Sequence, residues 1–152
     1  MIEHPESPSR PTLRRVYLTG IILAAALFAL HTWIIFETAF LLSMLTPDAM
    51  AYIGPHLGGP LLILSCFFLL FITHIAEAAL WAVFFWRAKL LPSFGLSLYF
   101  TGTSLTALGY GDVVLHAPWR GLGPIMATNG ILMFGCSTAF LFFVIQKVWT
   151  LL

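Results

Sequence analysis

Residues 106 to 112 read Thr-Ala-Leu-Gly-Tyr-Gly-Asp and lie between long hydrophobic segments. A cation stripped of water needs a cage of oxygen atoms, and backbone carbonyls can supply it when they all point towards one axis. Such an arrangement requires alternating backbone conformations, and Gly109 and Gly111 can take the positive φ values that other residues resist. Because non-helical backbone at membrane depth must be buried in protein or line a wet path, this run predicts a cation-binding strand.

The composition shows which class of protein holds this strand. Of the 152 residues, 60% are hydrophobic and 9% are charged, which is typical of an integral membrane protein. The formal net charge of +1 favours no nucleic-acid partner, and no catalytic constellation is apparent, so we expect no enzyme. Cys66 and Cys136 lie in apolar segments and are expected to be free thiols.

Three segments are long and apolar enough to predict membrane helices. The first runs from about residue 16 to 36, with a continuation towards 45, and follows a polar tail that we expect to be disordered and to end in a basic anchor. The second begins at Pro60, which suits a first helical position, and ends near Trp86. The third covers about 125 to 145. Prolines and glycines in residues 46–59 predict a loop between the first two.

A short helix is predicted between the second and third membrane segments. Pro92-Ser93 is a start signal in which Ser93 can cap the helix, and residues 94–105 make roughly three turns, too few to span a bilayer. The C-terminal dipole of such a helix, directed at the strand that follows, would favour a cation there.

This order of helix, short helix, Gly-Tyr-Gly-Asp strand and helix resembles the two-helix pore-loop module of the potassium channel superfamily. Tyr99-Phe100 and Ser104-Leu105-Thr106 extend the resemblance upstream of the strand. The whole chain resembles small bacterial ion-channel-like membrane proteins with one pore loop. The resemblance implies an all-α membrane protein with three transmembrane helices, a re-entrant pore helix and a selectivity filter between the second and third, assembled as a homotetramer. The implied domains are a tail at 1–15, an additional transmembrane helix and loop at 16–59, and the pore module at 60–152.

The resemblance also implies roles for single residues. Potassium would be held by backbone carbonyls of the filter, which comprises Thr106, Ala107, Leu108, Gly109, Tyr110 and Gly111. Asp112 would lie at the outer mouth, where four copies concentrate cations, and the Tyr99 hydroxyl is placed to bond it. The alternative for Asp112 is a solvated loop carboxylate.

The implied function is passive conduction of potassium across the cell membrane, plasma or inner, by a multi-pass protein. We expect no cofactor, K⁺ as the transported ion, membrane lipids and further copies of the chain as partners, and no soluble ligand domain. Ala107 departs from the family, which carries a threonine there whose hydroxyl helps form the innermost ion site. A weakly selective monovalent cation channel is therefore one alternative, and a non-conducting structural or regulatory subunit with a pore-like fold is another.

Polar residues at membrane depth need partners, because a carboxyl there is expensive. His74 and Glu77 share a face of the second helix, and His31 in the first helix could meet either of them. One interpretation is an interhelical hydrogen bond in which Glu77 bonds Thr101 or Thr103. The other is a pH-sensitive brace behind the filter. Haem held by two histidines is the least favoured alternative.

Gly130 and Gly135 in the third membrane helix are candidate hinges, with close helix packing as the alternative. The few polar groups that could face a water-filled cavity from this helix are Thr128, Asn129, Ser137 and Thr138.

Two rules conflict on membrane orientation. Three crossings place most cationic side chains on one side of the membrane and Lys147 on the other, so charge counting favours a cytoplasmic N-terminus. The cations that share a side are Arg10, Arg14, Arg15, Arg87, Lys89 and Arg120. The family resemblance favours the reverse, an external filter mouth and a cytoplasmic C-terminus, and we follow the resemblance because its motif is more specific.

Overall fold

The structure is a computed structural model that describes residues 12–150, apart from the side chains of residues 46–50. The helices of this part of the chain are α1 (Leu13–Ile53), α2 (Pro55–Arg87), α3 (Phe94–Leu105) and α4 (Leu122–Trp149), with a 3₁₀ turn at Trp119–Gly121 leading into α4. The prediction of a disordered tail falls mostly on residues 1–11, outside the described residues. Its last residues, from Leu13 onwards, belong to α1.

Three stretches in the described part of the chain are long and apolar enough to cross a membrane. They are Leu13–Leu45, Pro55–Arg87 and Trp119–Trp149, with mean hydropathies of 2.1, 2.2 and 1.8. Large apolar side chains such as Phe36, Phe71 and Phe142 are exposed along them, which suits a surface bathed in lipid. The predicted all-α class is confirmed, together with three helices of spanning length.

The predicted loop at residues 46–59 is wrong. α1 continues to Ile53 and α2 starts at Pro55, so only Gly54, with φ of 83°, separates them. A helix bonds its own backbone N–H and C=O groups, which favours helix over loop close to the hydrocarbon. Pro55, rather than Pro60, occupies the start of α2, where its missing N–H is not needed. Pro60 lies inside the helix.

The buried core joins all four helices at the level of α3. Trp81 stacks on Phe85 with ring centroids 5.8 Å apart, and Phe85 meets the edge of Phe100 at 5.3 Å. Leu122 and Met126 of α4 are fully buried in the same cluster. Because lipid tails are as apolar as these side chains, close van der Waals packing must hold the helices together. The packing fixes α3 between α2 and α4.

Candidate functional site

The short helix α3 positions the strand that follows it. Ser93 has extended backbone, and its Oγ accepts a hydrogen bond from the Leu96 N–H at 3.2 Å, so the predicted N-cap is confirmed. The Ser97 hydroxyl donates to the Ser93 carbonyl at 2.9 Å and closes the first turn. The 12 residues of α3 match the predicted bounds. Their length of about 18 Å is too short to cross the hydrocarbon core.

The strand is tied to the last turn of α3. The Thr106 hydroxyl donates to the Gly102 carbonyl at 2.6 Å, and the Ala107 N–H donates to the Ser104 carbonyl at 3.0 Å. The Gly109 N–H reaches back to the Thr103 carbonyl, also at 3.0 Å. The start of the strand therefore has a fixed position relative to the helix end.

Every second residue of the strand has positive φ. The values are 57° at Ala107, 52° at Gly109 and 78° at Gly111. Alternation between positive and negative φ turns successive carbonyls towards one side, as carbonyl coordination of a cation requires. The sequence predicted this conformation for the two glycines but not for Ala107, where it costs about 1–2 kcal/mol. Gly109 and Gly111 are two residues apart, and the same spacing, continued backwards, would have predicted positive φ at Ala107 as well.

The strand is uncovered by its own chain. Residues 106–112 are all exposed, and Leu108 and Tyr110 are 58% and 67% exposed. Beside them lies a cavity of about 340 Å³ whose wall includes Ala107, Gly109 and Gly111. Large apolar side chains exposed next to membrane helices mark a surface for further contacts.

Tyr99 and Asp112 form the predicted hydrogen bond. The Tyr99 hydroxyl donates to the Asp112 Oδ2 at 2.7 Å and links α3 to the far end of the strand. The hydrogen bond to the carboxylate raises the pKa of Tyr99 above its usual range, so the hydroxyl keeps its proton at physiological pH. The strand is thus held at both ends by α3.

A buried ring of polar side chains lies at membrane depth in α1, α2 and α4. Glu77 Oε1 lies 3.0 Å from His31 Nδ1, and Glu77 Oε2 lies 3.4 Å from His74 Nδ1. On the other side, Ser137 Oγ lies 3.1 Å from His31 Nε2 and 3.0 Å from His74 Nε2. The expected meeting of His31 with Glu77 is confirmed.

The predicted hydrogen bond from Glu77 to α3 is not made. Thr101 Oγ1 is buried without a partner among the described residues, and the Thr103 hydroxyl donates to the Phe100 carbonyl at 3.0 Å. Instead, the Glu77 carboxylate contacts a ring nitrogen of His31 from α1 and one of His74 from its own helix, α2. Ser137, expected to face a cavity, is 6% exposed and turned into the ring.

The model of an ion-channel family matches residues 61–147. The chain belongs to that family. The family is potassium channel-like, so the resemblance stated from the sequence is confirmed, and the channel is a multi-pass membrane protein. The match begins after α1, which is therefore an addition to the family module. No curated protein and no solved structure matches the channel.

Gly130 and Gly135 of this channel have different surroundings. A Cβ on Gly130 would overlap the Leu105 carbonyl at the end of α3, so this glycine is needed for close packing. A Cβ on Gly135 would have no neighbour within 4 Å among the described residues. Of these two glycines, only Gly130 shows the close helix packing that was the predicted alternative to a hinge.

Proposed function

We propose that four copies of this channel surround one axis and pass K⁺ passively across the cell membrane. The alternating backbone of residues 107–111 is the observation that carries the proposal, since it suits carbonyls aimed at one axis. One chain supplies one strand, and a closed cage of carbonyls needs four. The exposed side chains of Leu108 and Tyr110 would be covered by neighbouring copies.

The proposed ion path follows the backbone carbonyls of the strand, in the order of the sequence. Carbonyls of Thr106, Ala107, Leu108, Gly109, Tyr110 and Gly111 would replace the hydration shell of K⁺. The C-terminus of α3 precedes them and contributes its partial negative charge. Asp112, held by Tyr99, would lie at the outer mouth, where four carboxylates raise the local cation concentration.

Ion flux tests this proposal. Purified channel in liposomes, with opposed K⁺ and Na⁺ gradients, should give a current that reverses near the K⁺ equilibrium potential. Gly111→Ala should abolish the current because φ there is 78°, whereas the matched control Gly95→Ala, at an unstrained position with open space, should conduct like the wild type. Intact liposomes without current at any voltage would contradict conduction and favour a non-conducting structural or regulatory subunit.

Ala107 favours a second candidate, a weakly selective monovalent cation channel. Its side chain offers no oxygen, so the innermost site has carbonyl ligands alone. A current that reverses near zero in the same liposomes would favour this alternative over strict K⁺ selectivity.

Gating is proposed at α4. Gly135 has open space around it and is the better hinge candidate, since Gly130 holds the end of α3. The interpretation of His74 and Glu77 as a pH-sensitive pair stays a prediction.

A further inference from the structure

We propose that His31, His74 and Glu77 form a binding site for a divalent transition-metal ion of the Zn²⁺ class. The three residues offer ligand atoms that all lie within 4.8 Å of one another. Imidazole nitrogen with one carboxylate is a donor set that suits Zn²⁺ and related ions. The site lies in α1 and α2 and contains no residue of the strand, so it stands whether or not the strand conducts.

The distances fit ligands of one ion. Ligands about 2.0–2.1 Å from a tetrahedral ion lie about 3.3 Å from each other. The contacts of Glu77 with His31 and His74 are 3.0 Å and 3.4 Å, close to that edge length. The two imidazole centroids are 4.9 Å apart, and a shared ion would set them about 5 Å apart. Small side-chain adjustments therefore suffice to close the site.

Ser137 supplies the outer contact that metal-bound histidines require. A hydroxyl oxygen has two lone pairs, so Ser137 Oγ can accept an N–H from both Nε2 atoms at 3.0 Å and 3.1 Å. In the tautomers that donate both of these hydrogen bonds, the proton of each neutral ring lies on Nε2. Both Nδ1 lone pairs then face the Glu77 carboxylate, which is the arrangement of ligating histidines with an oriented second nitrogen.

One carboxylate oxygen of the ring is free to bind a cation. Two neutral imidazoles and one hydroxyl carry three protons, which serve the three hydrogen bonds of the ring and leave none for the contact of 3.4 Å between His74 Nδ1 and Glu77 Oε2. Glu77 Oε2 is in fact a buried oxygen without a hydrogen-bond partner among the described residues. Because an unpaired carboxylate oxygen is costly at membrane depth, an ion bound there would relieve the cost.

A fourth coordination position has room and access. His74 is 15% exposed, whereas Glu77 is 1% exposed, and His74 borders a cavity of about 310 Å³. The cavity is lined mostly by apolar side chains, with Thr106 as its other polar residue, so a water or hydroxide bound to the ion itself would complete the open three-ligand site and offset the remaining positive charge. The bound ion would link α1 to α2 and, through Ser137, to α4. It would thereby lock the added helix onto the family module.

Metal content of the full-length channel tests the site. Protein purified without a histidine tag, treated with chelator and dialysed against buffered Zn²⁺ should retain one Zn²⁺ per chain by mass spectrometry and show a raised thermal midpoint. Glu77→Gln should weaken retention at least tenfold. Glu37→Gln is the matched control, because its carboxylate lies in an exposed part of α1, where it accepts the Trp33 Nε1–H at 3.1 Å, and the variant should retain the ion.

Three outcomes would overturn the proposal. The first is a wild-type protein that retains no Zn²⁺, which would leave a ring held by protons alone. The others are Zn²⁺ retention by Glu77→Gln equal to that of the wild type, and loss of Zn²⁺ from Glu37→Gln. If Glu77→Gln fails to fold, Co²⁺ on the wild type decides. Intense visible absorption bands, typical of Co²⁺ coordinated tetrahedrally by nitrogen and oxygen, would support the site. The weak spectrum of hydrated Co²⁺ would contradict it. Ser137→Ala should lower affinity by about 10–100-fold, as loss of an outer contact does.

Discussion

At the scale of single residues, Ala107 is the position at which the proposed selectivity for K⁺ can be tested. Replacing it with threonine adds a hydroxyl at the innermost proposed site and should raise the K⁺ to Na⁺ permeability ratio about tenfold, equivalent to about 1.4 kcal/mol. Ala107→Val is the matched control, since valine has the same shape without the oxygen and meets the same strain at φ of 57°. Reversal potentials measure both. A gain from valine equal to that from threonine would refute the hydroxyl as the cause.

Tyr99 gives the strand a brace that depends on pH. Its pKa is raised in the folded channel by the hydrogen bond to Asp112, so the stabilising contact is present below pH 10, the usual tyrosine value, and is lost as pH rises through the raised value. Thermal midpoints at pH 8 and at strongly alkaline pH should differ more for the wild type than for Tyr99→Phe. Equal pH dependence of the two proteins would show that the contact adds no stability.

Among the helices, α4 approaches the end of α3 most closely at Gly130, where a Cβ would meet the Leu105 carbonyl. Gly130→Ala would drive a methyl group into the Leu105 carbonyl and should cost about 1–3 kcal/mol while displacing the strand that follows. Thermal midpoint and flux should both fall. Gly135→Ala has open space and should leave the thermal midpoint unchanged. A Gly130→Ala channel as stable as the wild type would mean that the end of α3 moves aside freely.

The sequence predicted elements best where local chemistry decides them. Ser93 and the spacing to the glycines placed α3 correctly, because a cap and a turn are local features. The loop at 46–59 failed because prolines and glycines were weighed as in water, whereas helix persists near lipid. The partner of Glu77 depended on how α1 packs against α2, and no local pattern carries that information.

For the whole molecule, orientation in the membrane is the main open prediction. We expect the end of α4 in the cytoplasm, against the charge count, because the proposed strand would then face outside. A reporter that is active only in the cytoplasm, fused after residue 152, should give a signal, and the same reporter before residue 1 should give none. The opposite pattern would invert the proposed direction of the pore mouth.

Gly54 joins α1 directly to α2, which bears on how the two helices could enter the bilayer. A one-residue break between α1 and α2 makes them a helical hairpin, in which His31 and Glu77 face each other. An unpaired Glu77 carboxylate is costly to transfer into lipid, so insertion of α2 without α1 would be unfavourable. Insertion of both helices as one unit lets the carboxylate meet its histidine before lipid surrounds it. The added helix would then supply a partner for the buried carboxylate during insertion as well as in the folded channel.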